Sequence, residues 1–299
     1  MHEINRRDFL KLGGLGGAVF MSGLAGCSTM GSNMGTAAQQ QDFFFVQLSD
    51  THWGFNGPPN PDAGGTLQKA VAAVNSLEVQ PDFIIFTGDL THTTDDPKER
   101  RKRLAEFRQI VKELKNPNVR FMPGEHDASL DWGEAWKESF GQPYYTFEHK
   151  GVHFIALDNV SDPAANVGET QLDWLKADLA KQDKDARIVV FAHRPLFDLY
   201  PQWDWATRDG AKVMEQLMPY RNVTVFYGHI HQEHHQMTGH IAHHSAKSLI
   251  FALPAPGAAP KRTPIAWNPA EPYAGLGFRR VDAKPPAQIA ITEFPVRKA

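Results

Sequence analysis

Five apolar runs in this chain each end on side chains that bind metal ions: Asp50-Thr51-His52, Gly88-Asp89, Gly124-Glu125-His126-Asp127, His193 and Gly228-His229-Ile230-His231. Hard carboxylate oxygens and imidazole nitrogens gathered at strand ends are what a pair of divalent cations needs. Asp50 and His52 lie two apart, so on an extended chain they point the same way and can share an ion. The same spacing applies to His229 and His231, which follow a glycine that lets backbone approach closely. Asp89 ends a run, Phe83 to Gly88, that reads as a central parallel strand, and a carboxylate there lands in the cleft at the C-terminal edge of the sheet.

From Phe43 onward strand-like runs alternate with helical spacing, which argues for an α/β domain. The runs are Phe43 to Ser49, Asp82 to Thr87, Val119 to Pro123, Arg187 to Ala192 and Val223 to Tyr227. Between them Thr66 to Glu78, Pro97 to Lys115 and Glu169 to Lys181 read as crossover helices, the second opening on a proline in its first turn. Tyr144 to Asp158 reads as a hairpin turning at His149-Lys150-Gly151. Strands are also expected at Ser248 to Leu253, Gly277 to Val281 and Gln288 to Phe294. Together these suggest two facing sheets with helices outside, although periodicity alone does not separate that from one doubly wound sheet.

At 299 residues and 41% hydrophobic content the chain can bury one full catalytic domain, placed at 42–299. A net charge of -3 gives no general attraction to nucleic acid, so a small substrate is expected rather than a duplex. Residues 1–26 read as a twin-arginine export signal: Asn5-Arg6-Arg7-Asp8-Phe9-Leu10-Lys11 precedes a Gly-rich apolar stretch ending at Leu24. That stretch is too short for an ordinary membrane span and closes on Leu24-Ala25-Gly26-Cys27, similar to a bacterial lipoprotein cleavage box. Cys27, the only cysteine, would then carry lipid, and the polar segment 27–41 would tether the domain to a membrane on the periplasmic side.

The ordered set of segments resembles the calcineurin-like metallophosphoesterase superfamily. The resemblance implies a four-layer αββα sandwich of two mixed sheets. It also implies two divalent metal ions (Mn, Fe or Zn), one held by Asp50, His52, Asp89 and His231, the other by Asp89, Glu125, His193 and His229. Asp89 would bridge them, two oxygens on one side chain being enough to hold cations about 4 Å apart. The implied reaction is hydrolysis of a small phosphodiester or phosphomonoester. Water between the cations ionises near neutral pH and attacks phosphorus in line. His126 would protonate the departing alkoxide, and Asp127 would orient or charge it.

One position departs from the family pattern, which has Asn where this chain has Glu125. The added charge and methylene should strengthen cation binding while repelling an incoming phosphate. Glu125 could instead turn outward and leave the second ion with fewer ligands, or the chain could be a metal-binding interaction module with weak or lost hydrolysis.

His92 stands three residues after Asp89, where purple acid phosphatases carry an iron-binding tyrosine, and the missing phenol argues against that branch. The motif set looks most like bacterial cyclic-nucleotide or broad phosphodiesterases. His92 itself is open between a supporting role, a leaving-group contact and a solvated loop residue. His234, His235, His240, His243 and His244 are spaced too irregularly for a separate metal tract. Trp203 and Trp205 could form an aromatic lip or pack beneath a loop, and Phe55 to Gly65 is the other candidate rim. Lys98 to Arg103 reads as a solvated basic helix face with glutamate pairs.

Overall fold

The computed structural model describes residues 41–284 and 288–297. The expected leader at 1–26, Cys27 and all of the expected tether except Gln41 lie outside the described residues. The first part runs β1 (Phe43–Leu48), α1 (Ala63–Asn75), β2 (Phe83–Thr87), α2 (Pro97–Val111), β3 (Val119–Met122), then α3 (Glu125–Ala128) and α4 (Glu134–Phe140). A hairpin of β4 (Tyr145–His149) and β5 (Val152–Ala156) follows, then α5 (Glu169–Leu179), β6 (Arg187–Phe191), α6 (Gly210–Leu217) and β7 (Asn222–Tyr227). A second hairpin, β8 (His234–Thr238) and β9 (Ile241–Ser245), precedes the closing strands β10 (Gly277–Lys284) and β11 (Gln288–Pro295).

Two mixed sheets result, ordered β11-β10-β1-β2-β3 and β4-β5-β6-β7-β9-β8. Strands β1, β2 and β3 are parallel, with β3 at an edge, as are β5, β6, β7 and β9, while β10 with β11, β4 and β8 join antiparallel at the remaining edges. Every residue of β1 is buried because both of its faces are covered. Phe43 and Phe45 turn toward the second sheet and pack with Phe83, Phe154, Phe191 and Phe226. Phe44, Val46 and Leu48 turn the other way, onto Leu67, Val71 and Phe107 of α1 and α2. On the far side, Val190 and Val225 pack with Leu172, Leu175, Val213 and Leu217 of α5 and α6. Those three apolar layers make the αββα sandwich.

Phe45 is the hub of the middle layer. Its ring stacks on Phe83 at 4.9 Å and meets Phe154, Phe191 and Phe226 edge-on at 6.0, 5.7 and 5.6 Å. Toward the strand ends this apolar contact gives way to a polar clamp. The buried Gln47 amide donates to Thr87 Oγ1 at 3.0 Å in its own sheet and to the Tyr227 carbonyl at 3.2 Å in the other.

The expected hairpin forms, turning through Lys150 and Gly151 at positive φ. Helix α2 begins at Pro97 with the Asp96 side chain capping Lys98 and Glu99 N–H. Its basic run forms the expected glutamate pairs, Lys102 and Arg103 with Glu99 and Lys102 with Glu106, with Lys98 and Lys102 exposed, but Arg100 is buried against Asp131 at 2.7 Å and Arg101 grips Glu138 with two nitrogens. Ser248 to Leu253 is not a strand. Its backbone is used singly, Leu249 N–H donating to Ser49 and Asp50 carbonyls and the Ile250 carbonyl accepting from Asn60. The histidine-rich tract instead forms β8 and β9, and α4 and α6 were not foreseen. Among the described residues no helix is long and apolar enough to cross a membrane.

Phe45→Ala is expected to cost about 3–5 kcal/mol in urea unfolding, since it empties the centre of the middle layer. Val79→Ala, at an exposed position, should stay within about 0.5 kcal/mol.

Candidate metal centre

The five segments all lie just beyond the C-terminal ends of parallel strands: Asp50 after β1, Asp89 after β2, Glu125 after β3, His193 after β6, His229 and His231 after β7. Two sheets therefore contribute to one cleft. The local backbone is not extended as the two-apart spacing suggested. Asp50, His52, Asp89, His229 and His231 all adopt left-handed conformations, with φ of 54°, 43°, 50°, 65° and 53°. Each such residue costs roughly 1 kcal/mol or more. Backbone bonds hold them: Asp50 N–H donates to the Gly88 carbonyl at 3.0 Å, His52 N–H to Asp89 at 2.9 Å and His229 N–H to the Asp50 carboxylate at 3.1 Å. Glycines make this crowding possible, Gly228 among them, where a Cβ would run into Ser49 Oγ and Asp50 Oδ2. A Cβ on Gly88, whose φ is +95°, would run into His193 Nδ1 and the Pro123 carbonyl, and one on Gly124 would run into Asp89.

Two buried donor sets result, each with its ligand atoms within 4.8 Å of one another: Asp50, His52 and His231, and Asp89, Glu125, His193 and His229. Asp89 connects them, its Oδ2 lying 3.5 Å from His52 Nε2 and 3.3 Å from His193 Nε2. In the first set His231 Nε2 stands 3.3 Å from both His52 Nε2 and Asp50 Oδ1. Two nitrogens about 2.1 Å from one tetrahedral ion are separated by about 3.4 Å, so this spacing suits a cation. His193 and His231 place their Nδ1 against the carbonyls of Thr87 and Phe251 at 2.7 and 2.8 Å. Those bonds fix the ring proton on Nδ1 and leave each Nε2 lone pair facing the cleft. His193 Nε2 and Glu125 Oε2 are buried facing each other at 2.9 Å, neither with a hydrogen bond, and a cation held by both would satisfy them.

Glu125 does not turn outward. Its two oxygens lie 2.7 Å from His229 Nδ1 and 2.9 Å from His193 Nε2, so the carboxylate straddles the two imidazoles. Burial opposes its charge, yet those histidines hold it well below the usual carboxylate range. Burial likewise opposes Asp50, which His231 and His193 keep low. His52 is pushed well down by burial and by His126, His231 and His92 around it. Burial would also lower His193 and His231, but Asp89 and Glu125 raise the first and Asp50 raises the second.

Asp127 does not orient or charge His126. Its carboxylate turns inward and accepts from the N–H groups of Leu90, Thr91 and Gly124 at 2.9, 2.8 and 3.0 Å, and from Thr91 Oγ1. It clasps the loop carrying Asp89 to the turn carrying Glu125. Burial and the nearby Asp89 charge raise its carboxyl to about 7. His126 is held by Thr93, whose N–H reaches its Nδ1 at 3.2 Å and whose hydroxyl lies 2.6 Å away. Because a backbone N–H can only donate, the His126 proton sits on Nε2, 4.0 Å from Asp89 Oδ2. Trp203 and Trp205 are buried with Tyr227 and Ile230, so they are packing beneath a loop and not a lip. Arg194 spends its guanidinium on the carbonyls of Asp204 and Ala206. The roles of the Thr87 and Phe251 carbonyls had no signal in the sequence, since a backbone acceptor leaves no trace in residue type, and Thr93 gave none because its distance from His126 in the chain hides the contact.

A family model of calcineurin-like phosphoesterases matches residues 45–233, and this chain belongs to that family. Among curated relatives, the mouse serine/threonine-protein phosphatase CPPED1 is 28% identical over 178 residues, covering 52% of this chain and 57% of its own length. A protein of Rhodococcus erythropolis named a probable cyclic nucleotide phosphodiesterase is 31% identical over 166 residues, covering 51% of this chain and 52% of its own. The chain thus spans little more than half the length of these relatives. A zebrafish (Danio rerio) dimetal phosphatase shares the fold with a TM-score of 0.58 at 15% identity, over 86% of this chain and 99% of that one. A yellow lupin purple acid phosphatase does so at 0.60 and 13%, over 87% of this chain and 52% of its own.

Asp127→Ala strips an acceptor from three backbone donors, and a loss of about 3 kcal/mol or more in unfolding free energy is expected. An unchanged urea midpoint would show that the clasp is dispensable.

Proposed function

We propose that this chain is a phosphoesterase that uses two divalent cations to hydrolyse a small phosphomonoester or phosphodiester. The observation that carries this reading is the pair of buried donor sets joined through Asp89. Asp50, His52, His231 and Asp89 would hold one cation, and Asp89, Glu125, His193 and His229 the other. Bound there, the cations supply an acidified water nucleophile and neutralise charge on the phosphoryl oxygens.

The chain's own groups supply the rest. His126 carries its ring proton on Nε2, 4.0 Å from Asp89 Oδ2, where a departing alkoxide can receive it. Thr93 keeps that tautomer in place, and Asp127 fixes the turn from which His126 projects. Glu125 adds negative charge beside His193 and His229, which favours cation retention and disfavours an anionic substrate. The names of the relatives, which include phosphatases and phosphodiesterases, support both ester classes.

The full chain loaded with Mn2+ or Zn2+ is expected to hydrolyse p-nitrophenyl phosphate or its bis ester, and Asp89→Ala to lose at least about a hundredfold in kcat/KM. Absence of turnover on both esters by a doubly loaded chain, with turnover appearing in Glu125→Asn, would support the metal-binding interaction module and sink the enzyme.

The leader supports export and attachment through lipid on Cys27. Cys27→Ser should move the protein from the membrane fraction to the soluble periplasmic fraction. Retention in the membrane would exclude that anchor.

A further inference from the structure

His92 belongs to neither donor set, yet it gathers with His52 and His126 into a third group of converging ligand atoms. A third cation is one reading of that group, but its hydrogen-bonding pattern favours another. The group contains no carboxylate, His126 Nδ1 already accepts from Thr93, and His52 Nε2 already faces His231 and Asp89.

The difference lies in how the histidines of the two donor sets dispose of Nδ1, which in His229 meets Glu125 Oε1 at 2.7 Å. His193 and His231 each place Nδ1 on a backbone carbonyl. His52 does not: its Nδ1 meets His92 Nδ1 at 3.3 Å. A ring that offers its Nε2 lone pair to a cation carries its proton on Nδ1, and that N–H needs an acceptor. His92 Nδ1 is the acceptor in reach, which places the proton of His92 on Nε2.

The surroundings hold His92 for this task. Its backbone N–H donates to the Trp53 carbonyl at 2.9 Å, and its carbonyl accepts from Arg103 Nη1 at 2.8 Å. The ring lies edge-on to Phe55 at 5.0 Å and is stacked on His126 at 5.1 Å. Main chain and ring are thus both pinned. Resting on the two-cation reading above, we propose that His92 is a positioning residue that accepts the His52 Nδ1–H and so locks His52 Nε2 onto the first cation.

The test is calorimetric titration of the full chain with Mn2+, followed independently of any turnover. The wild type should bind two ions. His92→Ala should weaken one of them about 10- to 100-fold, the range for losing a partner behind a metal ligand, and leave the other unchanged. His92→Asn, whose Oδ1 can take the place of Nδ1 as acceptor, should restore most of the affinity. His92→Leu fills the space without an acceptor and should behave like His92→Ala.

Equal affinities in wild type and His92→Ala would overturn the proposal, as would His92→Asn and His92→Leu weakening binding alike. Three ions on the wild type and two on His92→Ala would replace it with the third cation. Fewer than two ions on the wild type would remove the two-cation reading itself, a failure visible before any variant is made.

Discussion

The candidate ligands come from two different sheets, so the separation of those sheets decides whether a site exists at all. That separation is set by stacked and edge-on phenylalanines around Phe45, whose rigid rings tolerate little compression. Gln47 then bridges the same gap just below the cleft, its amide donating to Thr87 in its own sheet and across to the Tyr227 carbonyl in the other. Above this clamp the strands stop and the backbone turns left-handed at Asp50, His52, Asp89, His229 and His231. Such turns are unfavourable one by one, and they persist because a large buried interface leaves the chain no other exit from the strands.

Much of the site was legible because its pattern is local. An apolar run followed at once by Asp, His or Gly-Asp is visible within eight residues, and the parallel strands carry each such ending to the same edge. The four layers were not legible from periodicity, since β1 is buried on both faces and reads as continuous apolar sequence whichever sheet arrangement it joins. The strand expected at Ser248 to Leu253 failed for a related reason. Leu249 and Ile250 are buried as a strand's side chains would be, but the backbone groups of the segment serve Ser49, Asp50, Asn60 and His231 instead of a ladder.

Neighbourhood in sequence was the least dependable guide. Asp127 follows His126 directly yet faces the opposite way, toward the loop at 90–91. The residues that fix the imidazoles come from far along the chain: Thr93 for His126, Thr87 for His193 and Phe251 for His231. Only the folded chain brings those partners, one donor and two acceptors, within bonding distance. Glu125, by contrast, stood out in the sequence as a departure, and the structure gives it a definite place astride His193 and His229.

The absence of room beside Gly88 and Gly124 bears on how a chain of this kind can vary. At both positions even one added carbon would meet the atoms that hold the cleft together. The floor of the cleft therefore leaves almost no sequence freedom, and a variant of altered ester preference has to be sought elsewhere.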